Sequence, residues 1–156
     1  MRFAYADPPY PGQAHRYHEK REVDHAELIE KLVSEYPDGW ALSTSSPALR
    51  DVIVFCPADC RVAAWVKPFA VFKPNVNPAY AWEPVIFRGG RRGDRQRATV
   101  RDWYSSSVTL RRGLVGAKPR GFNRWILELL GYVNGDTLDD LYPGTESMAA
   151  AKRMLI

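Results

Sequence analysis

The stretch MRFAYADPPYPG, residues 1–12, carries the signal that decides the fold. In residues 2–6, aromatic side chains alternate with smaller ones, a spacing that predicts a short β-strand. The strand ends on DPPY at positions 7–10, where each proline fixes its own φ and holds the preceding residue extended. Ligands of open α/β sheets bind at the carboxyl ends of strands. The segment is therefore either an ordinary polar turn or one part of a binding site.

The rest of the chain alternates between strand-like and helix-like apolar patterns. Further strands are predicted at residues 40–44, 61–66, 83–87 and 138–142. Helices are predicted from Asp24, which has Glu27 at capping-box spacing, and over residues 47–55, 119–130 and 148–155. Strands that alternate with helices predict an α/β sheet with helices on both faces.

Length and composition are those of one globular domain covering residues 1–156. The chain is 46% hydrophobic and 26% charged, and no apolar run is long enough to span a bilayer. The apolar start of the chain breaks too early for a signal peptide, so we expect a cytoplasmic protein with no membrane partner.

Cysteines, histidines and tryptophans are predicted to be structural or exposed. Cys56 and Cys60 lack a second ligand pair at zinc spacing, which favours reduced thiols. The histidines are spaced too loosely for a metal site, so none is expected, although His15 and His18 lie in the loop after DPPY and could contact substrate. The tryptophans predicted to lie in the core are Trp40, Trp65 and Trp125.

Positive charge is concentrated in one part of the sequence. Residues 88–124 contain eleven lysines or arginines and two acids, a net +9, which leaves −5 for the remainder of a chain whose total is +4. Such asymmetry predicts a face that contacts a polyanion. The insertion at about 88–117 is predicted to contact nucleic-acid phosphates, and a solvated surface loop is the alternative. The candidate phosphate ligands are Arg91, Arg92, Arg95 and Arg97.

A second polar strand end lies near the other terminus, in DLYPGTES at residues 140–147. The order is a strand, a glycine turn and the start of a helix. A glycine turn lets a ligand approach the backbone closely, and a helix N-terminus favours an anionic group. One such turn is weak support for a site when it stands alone.

Taken together, these motifs resemble those of the S-adenosylmethionine-dependent amino-methyltransferases, which methylate N6 of adenine or N4 of cytosine. DPPY is similar to their catalytic motif, and DLYPGTES to their cofactor motif. Lys118-Pro119 is similar to the Lys-Pro element that precedes the cofactor strand. The catalytic motif comes first here, which is the circularly permuted order of many phage and bacterial DNA enzymes. The messenger-RNA adenine methyltransferases share that order.

The resemblance implies a Rossmann-like methyltransferase sheet, S-adenosylmethionine as cofactor, and N6-adenine methylation of DNA. The catalytic residues that it implies are Asp7, Pro8, Pro9 and Tyr10. The cofactor-binding residues that it implies are Asp7, Pro8, Lys118, Asp140, Tyr142, Gly144 and Thr145, with Lys118 pairing the cofactor's carboxylate.

The reaction itself explains why a DPPY segment is suitable. An aromatic exocyclic amine is a weak nucleophile because its lone pair is delocalised into the ring. Two acceptors aimed at its N–H groups, the Asp7 carboxylate and the Pro8 carbonyl, would localise that lone pair. Tyr10 offers a ring on which a base can stack. A base within a duplex would first have to be flipped out.

Two departures from the family's pattern leave alternatives open. Glu146 stands where the family usually has glycine, and the sequence ends one helix after the cofactor strand, a shortened C-terminus. A nucleic-acid-binding module with weak or no activity, a homodimer, or completion by a partner subunit therefore remains a hypothesis. Within the enzyme class, N4-cytosine methylation and an RNA substrate remain open, with DNA favoured.

Overall fold

The computed structural model describes residues 1–12, 22–69, 74–93, 98–108, 118–143 and 148–152. Its strands are β1 (Arg2–Ala6), β2 (Gly39–Ser43), β3 (Arg61–Val66), β4 (Trp82–Gly89), β5 (Trp103–Ser105) and β6 (Thr137–Asp140). Its helices are α1 (His25–Glu35), α2 (Leu49–Ile53), α3 (Arg120–Leu130) and α4 (Met148–Lys152). Over the described ranges, no helix combines the length and the apolar character needed to cross a bilayer.

Local sequence signals confirm several of the predicted elements. β1 and β3 have the predicted bounds. The Asp24 carboxylate accepts from the N–H groups of Ala26 and Glu27, so it caps α1 as expected. Gly131 ends α3 in the left-handed conformation, with φ 65°.

The other four strands differ from the sequence prediction, although β2, predicted at 40–44, and β4, predicted at 83–87, differ only by one or two residues at their ends. β5 was not predicted, because it has three residues and is held by pairing with β3 rather than by an apolar pattern of its own. The indole N–H of Trp65 supports this pairing by donating to Ser106, 2.9 Å to Oγ. β6 ends at Asp140 rather than at residue 142, although the Leu141 N–H still donates to the Tyr5 carbonyl at 2.9 Å.

The strands form one mixed sheet in the order β5-β3-β4-β2-β1-β6. β1 is parallel to β2 and β6, β4 is antiparallel to β2 and β3, and β5 is parallel to β3. The last residues of β1, β2, β3, β5 and β6 therefore lie at the same edge as the first residue of β4. We call this the carboxyl edge of the sheet and the opposite one the amino edge.

Apolar side chains cover both faces of the sheet, which confirms the predicted helices on either side. α1 and α2 pack on one face, with Trp40 at the centre. α3, which carries Trp125, and α4 pack on the other face, with Trp65 in the same apolar cluster. All three tryptophans are buried, as predicted. Cys56 and Cys60 are free and half-buried.

The amino edge brings backbone segments into unusually close contact. Gly39, the first residue of β2, has φ 150°. A β-carbon placed on it would overlap the backbone nitrogen of Gly90 and lie 3.0 Å from the Arg88 carbonyl oxygen. Since these neighbours are backbone atoms, they have little freedom to move away, and glycine is required here.

Replacing Gly39 with alanine is expected to lower the free energy of unfolding by about 2–3 kcal/mol, because backbone strain and a backbone clash add together. Urea denaturation measures the change. Gly135→Ala is the matched control, since Gly135 also has positive φ, 94°, but no atom within 4 Å of an added β-carbon. Equal losses in the two variants would mean that φ, and not contact with the chain around Gly90, explains the effect.

Candidate active site at the carboxyl edge

The DPPY segment leaves β1 at the carboxyl edge, directly beside the end of β6. Tyr5 pairs with Asp140 in the sheet, so the chain that follows each strand emerges side by side. Pro8 is buried, whereas Asp7, Pro9 and Tyr10 are half-buried. The first and last motifs of the sequence are therefore neighbours in space.

Lys118, the residue before the Pro119 that caps α3, reaches into this edge. Only 8% of its side chain is exposed. Its ammonium group lies 3.2 Å from Asp7 Oδ1, donates to the Tyr10 hydroxyl at 2.9 Å, and lies 3.2 Å from Glu83 Oε2. An ammonium group has three N–H donors, so these three contacts account for all of them.

Glu83, near the start of β4, completes the cluster. Its Oε2 accepts from the Tyr10 hydroxyl at 2.7 Å, and its Oε1 accepts from Lys67 at 2.7 Å. Lys67 follows the end of β3, so strands from both halves of the sheet contribute. We call Asp7, Tyr10, Lys67, Glu83 and Lys118 the edge cluster; its two carboxylates and two ammonium groups balance in charge.

Aromatic rings surround the buried ammonium group. Lys118 Nζ lies 5.4 Å from the Tyr10 ring centroid, 5.6 Å from that of Trp65 and 5.9 Å from that of Phe122. Rings at this distance stabilise a cation through their electron-rich faces. The site is thus a small low-dielectric compartment in which charge interactions are strong.

Burial and charge shift the acidities of the cluster in different directions. Burial would lower the pKa of Lys118, but the carboxylates of Asp7 and Glu83 outweigh it and raise that pKa. Burial would raise the pKa of Glu83, but Lys118 and Lys67 outweigh it and bring that pKa to about 2. For Asp7, the effect of burial is larger than the opposing effect of the Lys118 charge, so the pKa of Asp7 is raised above its ordinary value. Asp7 is therefore the least firmly ionised of the three.

The cofactor motif is described in part. Asp140 Oδ2 accepts weakly from the Met148 N–H at 3.5 Å, while its buried Oδ1 has no hydrogen-bond partner within the part of the chain that the structure describes. Burial raises the pKa of Asp140. Tyr142 packs beside the α1 face of the core. The predicted residues Gly144 and Thr145, like Glu146, lie outside the described residues.

Lys118 has surroundings that the sequence prediction did not include. The resemblance assigned it to the cofactor's carboxylate, but its ammonium group contacts Asp7, Tyr10 and Glu83. Its place in the site is supported by this position. Pairing with the cofactor stays a prediction, and would require the ammonium group to exchange one of these contacts.

Of the four arginines predicted as phosphate ligands, the two that the structure describes, Arg91 and Arg92, lie away from the site. β4 runs antiparallel to β2 and carries the following residues to the amino edge. There the guanidinium of Arg91 donates to both oxygens of Asp136, at 2.8 and 2.9 Å, and to the Gly131 carbonyl. Arg92 follows at the same edge. Their predicted role as phosphate contacts near the target base gains no support from this position, and Arg95 and Arg97 lie outside the described residues.

Sequence reasoning did not identify Glu83 and Lys67 as site residues. The sequence did contain a signal for Glu83. Alternate residues of a strand point to the same face, so Glu83 shares a face of β4 with the buried Val85 and Phe87. An acid on an apolar face indicates a partnered or functional charge. His15 and His18 lie outside the described residues. Within the described ranges, no three His, Cys, Asp or Glu side chains cluster as metal ligands do.

Comparison with known proteins identifies the fold. No protein-family model matches the sequence, and no curated protein matches it. Among solved structures, the chain is similar to M1.HpyAVI in its complex with SAM, with a TM-score of 0.67 and 14% identity over 99% of this chain and 78% of that one. It is also similar to M1.HpyAVI in a second crystal structure, with a TM-score of 0.60 and 12% identity over 99% of this chain and 76% of that one. The chain therefore has the predicted Rossmann-like methyltransferase fold, with its DPPY strand first and its cofactor-motif strand last.

Proposed function

We propose that the chain transfers a methyl group from S-adenosylmethionine to the N6 amine of adenine in DNA. The observation that carries the proposal is the position of Asp7 and Pro8, at the carboxyl edge and next to the end of β6. The acceptor segment and the cofactor motif are thus neighbours in a fold similar to that of the M1.HpyAVI-SAM complex. Ligands of α/β sheets bind at this edge.

The residues at the end of β6 fit a polar, positively charged ligand. Asp140 presents a buried oxygen, Oδ1, that has no hydrogen-bond partner among the described residues, and such an atom is costly unless a further group or a ligand satisfies it. Asp140, Tyr142, Asp7 and Pro8 would hold S-adenosylmethionine, together with Gly144 and Thr145. When bound, this cofactor supplies a sulfonium methyl group: the N–C bond to the amine forms as the S–C bond breaks, and the amine then loses a proton to solvent.

Asp7 and Pro8 would prepare the amine for attack. Lys118 contacts Asp7 through Oδ1, so Oδ2 is the oxygen that would accept from one amine N–H. The Pro8 carbonyl would accept from the other N–H, and the proline rings keep the two acceptors at a fixed spacing. Acceptors that are already oriented need no rearrangement during the reaction, which is the most effective form of electrostatic catalysis.

Aromatic side chains at the same edge would hold the base. The ring of Tyr10 is half-buried, with its hydroxyl fixed by Lys118 and Glu83. The exposed aromatic residues that flank the edge between β3 and β4 are Phe69, Tyr80 and Trp82. Stacking on such rings contributes about 1–3 kcal/mol per base and is available to a flipped or single-stranded base.

Methylation assays test the proposal directly. The protein is incubated with methyl-labelled S-adenosylmethionine and with DNA or RNA in separate reactions, and the digested nucleosides are separated. We expect labelled N6-methyladenine from DNA. Label in N4-methylcytosine, or in RNA alone, would move the activity to one of the alternative substrates and overturn the adenine or DNA assignment.

A second candidate function is a nucleic-acid-binding module of the same fold with weak or no activity. The observation that favours it is the engagement of all three Lys118 N–H donors by protein groups. Calorimetry separates the two functions. Absence of S-adenosylmethionine binding, together with DNA binding that weakens as salt rises, would support the module and reject the enzyme.

A further inference from the structure

Glu83 interacts with three polar groups beside the DPPY segment: the Tyr10 hydroxyl and the ammonium groups of Lys118 and Lys67. One of its oxygens accepts from Tyr10 and lies near Lys118, and the other accepts from Lys67. Its side chain is 19% exposed, so these interactions are largely shielded from water. No motif assigns a role to this residue. Its position on β4, the antiparallel strand, brings it to the site from 73 residues beyond Tyr10.

The first effect of Glu83 is geometric. A tyrosine ring can rotate about its bond to the β-carbon unless its hydroxyl is held. Here the Tyr10 hydroxyl donates to Glu83 at 2.7 Å and accepts from Lys118 at 2.9 Å, so both of its hydrogen-bonding functions are used. A ring held in this way offers a fixed surface to an incoming base, and its fixed orientation removes an entropic cost of binding.

The second effect is electrostatic. The ammonium group of Lys118 lies 3.2 Å from the carboxylate that is to accept from the amine. Left alone, this cation would weaken Asp7 as an acceptor and would oppose the positive charge that grows on the amine as the methyl group arrives. Glu83 lies at the same distance, 3.2 Å, from the ammonium group and partly neutralises its charge. Lys67 in turn keeps Glu83 ionised and in place.

We propose that Glu83 is a positioning residue for the amine site. It orients the Tyr10 ring, and it partly neutralises the charge of Lys118, so that Asp7 stays a strong hydrogen-bond acceptor. The inference rests on the proposed methyl transfer. Glu83 acts through Tyr10 and Lys118 and does not itself contact the base.

Glu83→Gln tests the proposal, because glutamine keeps the size and can still accept from Tyr10 but removes the charge. We expect kcat for methylation to fall by about 10- to 100-fold, with less than about a twofold change in KM for S-adenosylmethionine. Glu83→Asp, which restores the charge on a shorter side chain, is expected to recover part of kcat. Glu128→Gln is the control, since Glu128 pairs with Arg124 on the surface of α3.

A second measurement keeps the inference separate from the proposed function. The ammonium ¹⁵N signal of buried Lys118 is expected to shift or broaden in Glu83→Gln and not in Glu128→Gln, whether or not the protein methylates anything. A wild-type kcat in a folded Glu83→Gln variant would overturn the positioning role and leave the methyltransferase function standing. Absence of methylation by the wild-type protein would overturn the function, and an unchanged Lys118 signal would then overturn the positioning role as well.

Discussion

Replacing Asp7 with asparagine is expected to lower the rate of methyl transfer by about 10²- to 10³-fold. The size of the effect follows from the position of Lys118. Asparagine has one acceptor and one donor, and the ammonium group 3.2 Å away would take the acceptor. The amide NH₂ would then face the amine of the base, so a donor would meet a donor. The lone pair of the amine would lose the group that localises it.

Single-turnover methylation of DNA with labelled S-adenosylmethionine measures this effect. Asp59→Asn is the matched control, because Asp59 pairs with Arg88 on the surface and its side chain is 64% exposed. We expect that variant to keep the wild-type rate. If Asp7→Asn also keeps it while unfolding at the wild-type temperature, Asp7 does not act on the amine.

Replacing Lys118 with methionine is expected to lower the free energy of unfolding by about 3–5 kcal/mol. Methionine fills a similar volume, so packing changes little, but the carboxylates of Asp7 and Glu83 lose the cation that lies between them. Without that cation the two carboxylates repel each other, and Asp7 loses the ammonium group that it contacts, while Glu83 keeps Tyr10 and Lys67 as donors. Urea denaturation at neutral pH measures the loss.

Lys67→Met is the comparison for this experiment. The ion pair described for Lys67 is with Glu83 alone, and Glu83 would keep Lys118, so a loss of about 1 kcal/mol is expected. In the double variant Lys118→Met with Glu83→Gln, removal of one of the two repelling carboxylates should recover part of the stability. If the free energy of unfolding fell equally in the two lysine variants, the buried position of Lys118 would add nothing to the strength of its ion pairs.

The elements that were predicted correctly from the sequence are those whose bounds depend on residues close together in the chain. The strand before Asp7, the cap at Asp24 and the glycine stop at residue 131 depend on neighbours within a few residues, and all three were predicted correctly. β5 was missed because it depends on β3, with Trp65 and Ser106 in contact across 41 residues. Periodicity cannot report such pairing when the strand is this short.

The residues of the site show the same difference between local sequence patterns and contacts that only the fold creates. The DPPY segment was predicted as a site because four consecutive residues carry its resemblance to a known catalytic motif, and this assignment stays a prediction. The Lys118 environment was not predicted, since only the fold brings Glu83 to it across 35 residues. The clustered charge likewise predicted a contact surface, but the sequence did not show on which edge of the sheet it would lie. Because β4 is antiparallel to β2, Arg91 lies at the amino edge, where it pairs with Asp136.

The glycine contact at the amino edge has a consequence for how this domain can change over evolutionary time. Around Gly39 and Gly90, backbone packs on backbone, so a side chain added at Gly39 costs stability. The segment that follows β3 leaves the sheet at the other edge, and its described residues, 67–69 and 74–81, are half-buried or exposed. This segment can therefore vary with little loss of stability while the amino edge stays constant. A library randomised between residues 67 and 82 should accordingly yield far more folded variants than one randomised around Gly39.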